Sequence, residues 1–120
     1  MKTIPKIINY VWFGGGKHSK LQKRCMKSWK KFCPDCKIVR WDETNFDMNN
    51  ESPYFQESYK AKKWGFTADY PRFWIIYNYG GIYLDTDVEL LKPLDSLLKY
   101  DSTCSIKIFA FKTKKRIILK

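Results

Sequence analysis

Two hydrophobic periods alternate along the first third of the chain. Residues 4–13 are apolar, β-branched or aromatic at most positions and run into a glycine triplet at residues 14–16. This pattern predicts a buried strand that ends in a glycine loop. Between residues 19 and 34 the apolar positions recur at helical spacing with lysines and arginines between them, which predicts an amphipathic helix. Residues 37–41 predict a second strand, so the order strand, helix, strand favours a parallel βαβ unit.

Two more helices are predicted before the chain returns to a strand. Residues 52–63 begin with serine and proline, the residue types that favour a helix N-cap and first turn. Residues 66–79 carry a broad apolar stripe, for which Thr67 is the predicted cap and Pro71 lies early enough to be tolerated. The glycine pair at residues 80–81 predicts a left-handed helix end.

An acidic pair follows the next predicted strand. Residues 82–84 are apolar and lead into Asp85 and Asp87, and residues 88–91 resume the strand pattern. Carboxylates at positions i and i+2 of an extended backbone face the same side, where both can approach one divalent cation. The end of a strand is where α/β sheets bind ligands, and Glu89 alternates onto the same face. Spacing alone leaves a solvated acidic turn, and a solvated Glu89, as open alternatives.

Composition and charge favour one packed domain that attracts anions. The 120 residues are 44% hydrophobic and 18% aromatic, which is enough for one core in a chain too short for two. Twenty-three lysines and arginines against twelve acids give a net charge of +11, which attracts nucleotides, nucleic acid or anionic lipid. No apolar run reaches the roughly 18 residues of a membrane span, and the start lacks the sections of a signal peptide. We therefore expect a cytoplasmic chain.

The four cysteines are expected to be reduced thiols in that compartment. Cys33 and Cys36 have the spacing of a redox pair or half a zinc site, but Cys25, Cys104 and His18 lie at spacings that match no common zinc motif. A redox pair would stand at a helix N-terminus after a strand, whereas this pair follows the predicted helix. Small turn residues are therefore the favoured interpretation, and His18 is predicted to be a solvated loop residue.

Three segments of the chain resemble one enzyme family. The run FTADYPRFWIIYNYGGIYLDTDVE at residues 66–89 closely resembles the signature of glycosyltransferases that carry a DXD sugar-binding region, of the glycosyltransferase family 32 type. Residues 4–15 resemble the first strand of that family, and residues 28–35 resemble its passage from helix to strand. The group includes bacterial capsular-polysaccharide transferases, yeast initiating α-mannosyltransferases and, more distantly, the large clostridial glucosylating toxins. The resemblance covers residues 4–98 of the chain.

The resemblance implies an α/β fold of the GT-A type, a nucleotide-diphospho-sugar transferase fold with a Rossmann-like βαβ core. It also implies metal-dependent transfer of a sugar from a UDP- or GDP-linked donor to a hydroxyl of a glycan or another acceptor, with retention of anomeric configuration. The expected setting is capsular or cell-surface polysaccharide synthesis in a bacterium. The lysine-rich helix would bring the chain to the inner face of an anionic membrane.

The resemblance also assigns site residues. Asp87 is implied as the direct ligand of Mn²⁺ or Mg²⁺, and Asp85 as a contact of the donor's ribose or sugar that helps to hold the metal through water. The resemblance implies three catalytic residues, which are Asp85, Asp87 and Arg72. A guanidinium and a metal held by the aspartates would neutralise charge on the departing diphosphate. Asp69 and Arg72 are implied to orient the donor sugar and its phosphates. A role of Asp69 for the helix dipole alone, or a surface pair of Asp69 with Arg72, stays open.

Three further residues are implied to contact the donor. Val11 and Trp12 stand at the end of the first predicted strand, and Trp12 would lie against the base. Tyr83 would line the donor pocket just before the acidic pair. Since both aromatic residues lie in apolar strands, core packing is the alternative for each.

The chain departs from the family pattern in composition and in length. Asn9 stands where many members have histidine, Ala68 where serine is frequent, and residues 73–74 are Phe-Trp where Leu-Asp is common. Family catalytic domains run about twice this length, and residues 102–120 do not resemble their continuation. We therefore expect a donor-binding part over residues 1–101, an atypical basic tail after it, and a fold that is incomplete at the C-terminus. Such an N-terminal fragment keeps donor binding more readily than acceptor glycosylation.

A second class of function stays open beside the transferase. The charge of +11 and the abundant aromatics also fit a non-catalytic basic module for nucleic acid or an anionic membrane surface. Nucleic-acid binding is disfavoured because most aromatics fall on apolar stripes rather than between exposed cations. The basic helix and tail make the membrane surface the stronger of these two alternatives.

Overall fold

Three parallel strands form the main sheet of the computed structural model, which describes residues 5–94 and 116–117. Strand β1 spans Ile7–Val11, β2 spans Lys37–Trp41 and β3 spans Ile82–Tyr83. Their order in the sheet is β2-β1-β3, and each neighbouring pair is parallel. The predicted parallel βαβ unit is therefore confirmed, with β1 at the centre.

Helices flank this sheet in the described part of the chain. They are, in chain order, α1 (Lys20–Phe32), α2 (Pro53–Lys60), α3 (Trp64–Thr67) and α4 (Asp69–Tyr79). Beyond β3, the short strand β4 at Glu89–Leu90 pairs in parallel with β5 at Arg116–Ile117. The basic tail predicted over residues 102–120 lies outside the described residues except for β5. Within the described ranges, no helix combines the length and the apolar character that a membrane span needs.

The sheet carries a hydrophobic layer on each face because the side chains of its strands alternate. Ile8 and Tyr10 of β1 pack with Trp29 of α1 in one cluster. Val11 of β1 and Ile75 of α4 belong to the second cluster, to which α2 also contributes. The result is a three-layer arrangement with α1 on one face of the sheet and α2 and α4 on the other.

Helix α1 begins where its sequence pattern predicts. The Ser19 hydroxyl accepts a hydrogen bond from the Gln22 N–H at 3.1 Å, and the Gln22 side chain accepts one from the Ser19 N–H at 2.8 Å. This reciprocal pair is a capping box. The apolar stripe of the helix buries Cys25 and Trp29, while its lysines and arginines stay exposed.

The single helix predicted over residues 66–79 is instead two helices with a break at Ala68. Pro71 accounts for the break, because proline has no N–H to donate to the Thr67 carbonyl and its ring clashes with that carbonyl in a continuous helix. The Thr67 hydroxyl donates to the Lys63 carbonyl at 3.0 Å. The predicted role of Thr67 as a helix cap is therefore wrong, and α4 has no side-chain cap.

Several elements are shorter than their hydrophobic patterns predict. The first strand was predicted over residues 4–13, of which residue 4 lies outside the described part. Strand β1 is shorter because β2 pairs with only five of its residues. The Trp12 N–H then donates to the Trp41 carbonyl at 2.8 Å, and the chain turns into the glycine loop. Helix α2 ends before residue 63 because Lys62 has a φ of 57°. Strands β3 and β4 are likewise shorter than predicted.

Gly81 allows β3 to approach β1 closely. Its φ is 92°, and a Cβ atom there would lie 2.8 Å from the Ile7 carbonyl oxygen. Gly80 has the positive φ predicted for the helix end, 74°, but its ψ of −166° is not that of the left-handed helical region. The Gly80 N–H still donates to the Ile76 carbonyl at 2.9 Å, so the helix ends with this carbonyl satisfied.

Candidate functional site

A cleft of about 580 Å³ opens at the carboxyl ends of β1 and β3. It is bounded by the glycine loop, the start of α1, the α3–α4 segment and the acidic pair. Of the residues assigned to the site from the sequence, all but Asp69 line it: Val11, Trp12, Arg72, Tyr83, Asp85 and Asp87. Asp69 lies in the first turn of α4, one helical turn before Arg72.

The acidic pair lies in a hydrogen-bonded turn and not on an extended strand. The Val88 N–H donates to the Asp85 carbonyl at 3.0 Å, which closes the turn around Asp87. The expectation that strand alternation brings both carboxylates to one side is therefore wrong, although both line the cleft. Glu89 does not join them, because its carboxylate lies 3.6 Å from the Arg24 guanidinium on α1.

This turn is fixed from two sides. The Leu84 N–H donates to the Asn9 carbonyl at 3.0 Å, which ties the start of the turn to the sheet. The Trp29 indole N–H donates to the Val88 carbonyl at 2.8 Å, which ties its end to α1. The sheet and α1 thus hold the acidic pair at the mouth of the cleft.

Arg72 is a buried cation that lies between two carboxylates. Its Nη2 atom lies 3.4 Å from Asp85 Oδ1 and 3.5 Å from Asp69 Oδ1, and its side chain is only 9% exposed. The guanidinium also stacks over the Tyr83 ring, 5.4 Å from the ring centre. The alternative of a surface pair between Asp69 and Arg72 is therefore wrong for Arg72, whose charge is largely removed from water.

Asp69 and Tyr83 support this guanidinium in different ways. Asp69 accepts a hydrogen bond from the Tyr54 hydroxyl at 3.1 Å, and its place in the first turn of α4 also suits the helix dipole. Burial, followed by the negative charge of Asp85, raises the pKa of Tyr83. The Tyr83 hydroxyl therefore stays protonated, and Tyr83 contributes both to the core and to the cleft.

Trp12 stands half-buried in the wall of the cleft and contacts the glycine loop. Its indole N–H donates to the Gly16 carbonyl at 2.7 Å, so the glycine loop holds the ring in place. The His18 ring lies 4.1 Å from the Trp12 ring, centre to centre, at an angle of 47°. His18 is itself half-buried, and burial followed by the positive charges of Arg40 and Lys23 lowers its pKa. The prediction of a solvated His18 is wrong, because the loop folds it against Trp12.

Trp64 is a residue of the cleft that the sequence patterns do not single out. A Cβ atom at Gly14 would lie 2.5 Å from the Trp64 ring, so the ring packs directly over this glycine. Tyr59 packs edge-on against Trp64, with 5.5 Å between ring centres. Position 64 falls between two predicted helices, and the lone signal there is a tryptophan next to a glycine.

Glu43 ties this aromatic wall together. Its carboxylate accepts hydrogen bonds from the Gly14 N–H at 2.7 Å and from the Tyr59 hydroxyl at 3.0 Å. Burial alone would raise the pKa of Glu43, but these hydrogen bonds outweigh it and lower the pKa. The carboxylate is thus an ionised acceptor at neutral pH that fixes the glycine loop relative to Tyr59 and Trp64.

The acidic turn suits a hard divalent cation that is also bound by a substrate. Within the described ranges there is no group of three or more His, Cys, Asp or Glu side chains that could enclose a metal ion. The described cysteines, Cys25, Cys33 and Cys36, are present as thiols. Asp85 and Asp87 offer carboxylate oxygens on an open cleft, which fits Mn²⁺ or Mg²⁺ when phosphate oxygens complete the shell. Cys104 lies outside the described residues.

Comparison with known proteins identifies relatives of this chain. Residues 19–103 match the family described as glycosyltransferase sugar-binding region containing DXD motif. Inositol phosphoceramide mannosyltransferase 3 of Schizosaccharomyces pombe is 34% identical over 104 residues, which cover 82% of this chain and 28% of that protein. An uncharacterized glycosyltransferase of Acanthamoeba polyphaga mimivirus is 35% identical over 104 residues, which cover 79% of this chain and 40% of that protein.

The fold also has a solved counterpart. The structure named PaToxG Glycosyltransferase superposes with a TM-score of 0.63 at 16% sequence identity, and the match covers 77% of this chain and 45% of that one. This likeness confirms the α/β fold of the GT-A type. In each of these comparisons the matched region spans less than half of the other protein.

Proposed function

The chain belongs to the family of glycosyltransferases whose sugar-binding region contains the DXD motif, and we propose that its cleft holds a nucleotide-sugar donor for transfer of the sugar to an acceptor hydroxyl. The observation that carries the proposal is the convergence of a buried guanidinium, two carboxylates and a tryptophan on one cleft. A nucleotide-sugar has a flat base, an anionic diphosphate and a polar sugar. Each part has a matching group on these walls.

Arg72 is proposed to bind the donor diphosphate. Its guanidinium is rigidly placed over Tyr83 and is screened from bulk water, so its charge acts strongly on phosphate oxygens. A divalent metal held by Asp87 and Asp85 would neutralise further negative charge as the diphosphate departs. Asp69 is proposed to orient the donor sugar and to hold Arg72 from the side of α4.

Trp12 is proposed to carry the nucleotide base. Its ring is fixed by the Gly16 carbonyl and by His18, so little side-chain entropy remains to be lost on stacking. Val11 precedes it on the same cleft and would contact the nucleoside. Trp64 adds a second aromatic surface to this wall.

The acceptor class is proposed from the relatives' names. The fission yeast relative is named for mannosyl transfer to inositol phosphoceramide. We propose that this chain serves the transfer of a hexose, with retention of configuration, to a hydroxyl on the ring of a glycan or of a lipid headgroup. A role in capsular polysaccharide synthesis stays a prediction, since the relatives named above are fungal and viral.

Calorimetric titration tests the donor site. UDP, GDP and their common sugar conjugates are titrated into the chain with Mn²⁺, and again with EDTA. We expect binding that EDTA abolishes and that Asp87→Ala lowers by at least about tenfold, the effect of one charge-assisted contact. The control is Asp35→Ala, because this side chain is 76% exposed and lies outside the cleft. A folded chain that binds none of these nucleotides, with or without metal, contradicts the proposal.

The exposed face of α1 favours a second role beside donor binding. The helix has no acidic residue, and its exposed cations form one continuous surface: Lys20, Lys23, Arg24, Lys27, Lys30 and Lys31. We propose that this face rests on anionic lipid, as suits a transferase with a lipid-borne acceptor. Sedimentation with phosphatidylserine vesicles should fall steeply between low and physiological salt, and vesicles of phosphatidylcholine should bind none. Equal binding to both lipids contradicts this role.

A further inference from the structure

Glu43 stands on a hydrogen-bonded turn that follows β2. The Phe46 N–H donates to the Asp42 carbonyl at 3.0 Å, and the Asp42 N–H donates to the side-chain oxygen of Asn45 at 2.8 Å. Phe46 is itself buried in the core cluster that contains Ile75 of α4. The turn is therefore anchored at both of its ends, and Glu43 occupies a fixed position within it.

A single carboxylate oxygen of Glu43 joins two separate parts of the chain. Its Oε2 atom accepts hydrogen bonds from the Gly14 N–H at 2.7 Å and from the Tyr59 hydroxyl at 3.0 Å. Gly14 belongs to the glycine loop after β1, and Tyr59 belongs to α2. The carboxylate is ionised at neutral pH, so both hydrogen bonds are charge-assisted and stronger than neutral ones. The side chain thus fixes the glycine loop relative to α2.

The glycine loop depends on such external contacts for its conformation. Three consecutive glycines, residues 14–16, lose more conformational entropy on ordering than other residues would. The Gly16 carbonyl accepts the indole N–H of Trp12 at 2.7 Å, so the conformation of the loop determines where this ring lies. At the start of the loop, Gly14 packs against the Trp64 ring. A displaced loop would therefore displace both tryptophans that line the cleft.

Glu43 does not itself line the cleft, so its effect on a ligand there must pass through the tryptophans. Tyr59, whose hydroxyl it accepts, packs edge-on against Trp64 with 5.5 Å between ring centres. The acidic pair is held by other contacts, which come from the Asn9 carbonyl and from the Trp29 indole. A change at Glu43 should therefore reach the tryptophan side of the cleft and not the carboxylate side.

We propose that Glu43 is a positioning residue for the nucleoside of the donor. By holding the glycine loop and Tyr59, its carboxylate places Trp12 and Trp64 before the ligand arrives, so less affinity is lost to the ordering of these side chains. The inference rests on the proposed function, because it concerns the same donor site. It adds that the nucleoside depends on Glu43, whereas the diphosphate with its metal does not.

Calorimetry with two ligands tests whether Glu43 acts on the nucleoside alone. The ligands are the preferred nucleotide, UDP or GDP, and inorganic pyrophosphate, each with Mn²⁺. We expect Glu43→Ala to lower the affinity for the nucleotide by about threefold to tenfold, the effect of one or two side chains that must be ordered on binding. The affinity for pyrophosphate, which has no nucleoside, should stay within about twofold of that of the unchanged chain. The matched control is Glu51→Ala, which removes the same charge from an exposed side chain outside the cleft.

Two conservative variants separate positioning from overall stability. In Glu43→Gln one amide oxygen can accept both hydrogen bonds, as Oε2 does, so nucleotide affinity should recover to within about twofold of the unchanged chain. Tyr59→Phe keeps the ring, removes one of the two hydrogen bonds and should lower nucleotide affinity about twofold. The losses in Glu43→Ala and Tyr59→Phe should not add in the double variant, because both substitutions break the same contact. Glu43→Gln and Tyr59→Phe keep the side-chain volume, so they test the inference even if Glu43→Ala does not fold.

The outcomes distinguish this inference from the proposed function. Unchanged nucleotide affinity in folded Glu43→Ala overturns the positioning role alone, as does an equal loss in Glu51→Ala. The role is also overturned if Glu43→Gln loses as much nucleotide affinity as Glu43→Ala. Equal losses of nucleotide and pyrophosphate affinity overturn it as well, because Glu43 would then support the whole site. Absence of nucleotide binding by the unchanged chain overturns the proposed function.

Discussion

The two walls of the cleft are built on different physical principles. The charged wall consists of Arg72, Tyr83 and Asp85, which are buried or partly buried and belong to α4, β3 and the turn after it. The aromatic wall consists of Trp12, which follows β1, and Trp64, the first residue of the short helix α3, and both contact the glycine loop. The charged wall is part of the sheet and its covering helix, whereas the aromatic wall is held in place through the glycine loop.

This difference fits what each wall is proposed to recognise, the diphosphate on the charged wall and the base on the aromatic wall. The attraction between a cation and a diphosphate is stronger when water is excluded. The free-energy cost of removing the cation from water must then be offset by fixed carboxylates. Burial between Asp69 and Asp85 meets both conditions for Arg72. A flat base needs only a flat surface, so the aromatic wall tolerates exposure. The charged wall should therefore control affinity most strongly, and the aromatic wall should respond more to local backbone changes.

Removal of the guanidinium is expected to have the largest effect. Arg72→Met keeps most of the side-chain volume and removes the guanidinium that is proposed to bind the diphosphate. We expect donor affinity to fall about tenfold to a hundredfold, which corresponds to about 1.5 to 3 kcal/mol. Calorimetry with the preferred nucleotide-sugar and Mn²⁺ measures this change.

An exposed arginine provides the comparison for this variant. Arg40→Met removes a surface ion pair of 3.0 Å to Asp42 and should leave donor affinity unchanged, because exposed pairs contribute little. Equal affinities of Arg72→Met and the unchanged chain would mean that the charged wall does not hold the diphosphate.

A backbone change in the glycine loop is expected to have the next largest effect. Gly14 has a φ of 87°, and the Cβ atom of Gly14→Ala would lie 2.5 Å from the Trp64 ring. Left-handed backbone costs a non-glycine residue about 1 to 2 kcal/mol, and Trp64 must also move. We expect the free energy of unfolding to fall by at least this amount in denaturant titrations. Gly16→Ala, which meets no atom within 4 Å, should change it by less than about 0.5 kcal/mol.

The sequence predicts the elements of this fold better than their ends. Helix α1 follows from local signals, since the Ser19 cap and the apolar stripe lie in one short segment. Strand β1 ends where its partner β2 ends, and no local pattern in residues 4–13 reports the length of another strand. The break before α4 has a local signal in Pro71. The clash of its ring with the Thr67 carbonyl outweighs the tendency of the apolar stripe to form one continuous helix.

Sequence reasoning found the charged wall and missed half of the aromatic wall. The acidic pair and Arg72 lie in one continuous motif, so spacing and resemblance suffice to identify them. Trp64 acquires its place only because Gly14, fifty residues earlier in the chain, admits its ring. A contact between residues so far apart in the chain leaves no periodic pattern in the sequence.

Asn9 illustrates the same limit in the core. Asn9 stands where many family members have histidine. In the fold its side chain is buried and joins β1 to two other segments through hydrogen bonds. Its Nδ2 atom donates to the Gly80 and Ile82 carbonyls at 3.3 and 3.2 Å, and its Oδ1 atom accepts from the Trp41 indole N–H at 3.0 Å. An amide provides both donors and an acceptor, which explains why this residue type serves here.

The smallest expected effect is a pH dependence of stability that arises from His18 on the aromatic wall. Burial and the nearby cations lower the pKa of His18 below its ordinary value of 6.5. The unfolded chain therefore binds the proton more readily, so the free energy of unfolding is highest above about pH 6.5 and falls as the pH is lowered through and below this value. Denaturant titrations between pH 5 and 8 measure the slope, which is at most that of one proton.

His18→Gln isolates this slope from other groups. The carboxyl groups of Asp42 and Glu43 have lowered pKa values, so their protonation affects stability only at more acidic pH. The glutamine variant should therefore show a flatter profile of the free energy of unfolding between pH 5 and 7. If the slope between pH 5 and 7 survives the substitution, a group other than His18 causes it, and the contact between His18 and Trp12 does not couple protonation to the aromatic wall.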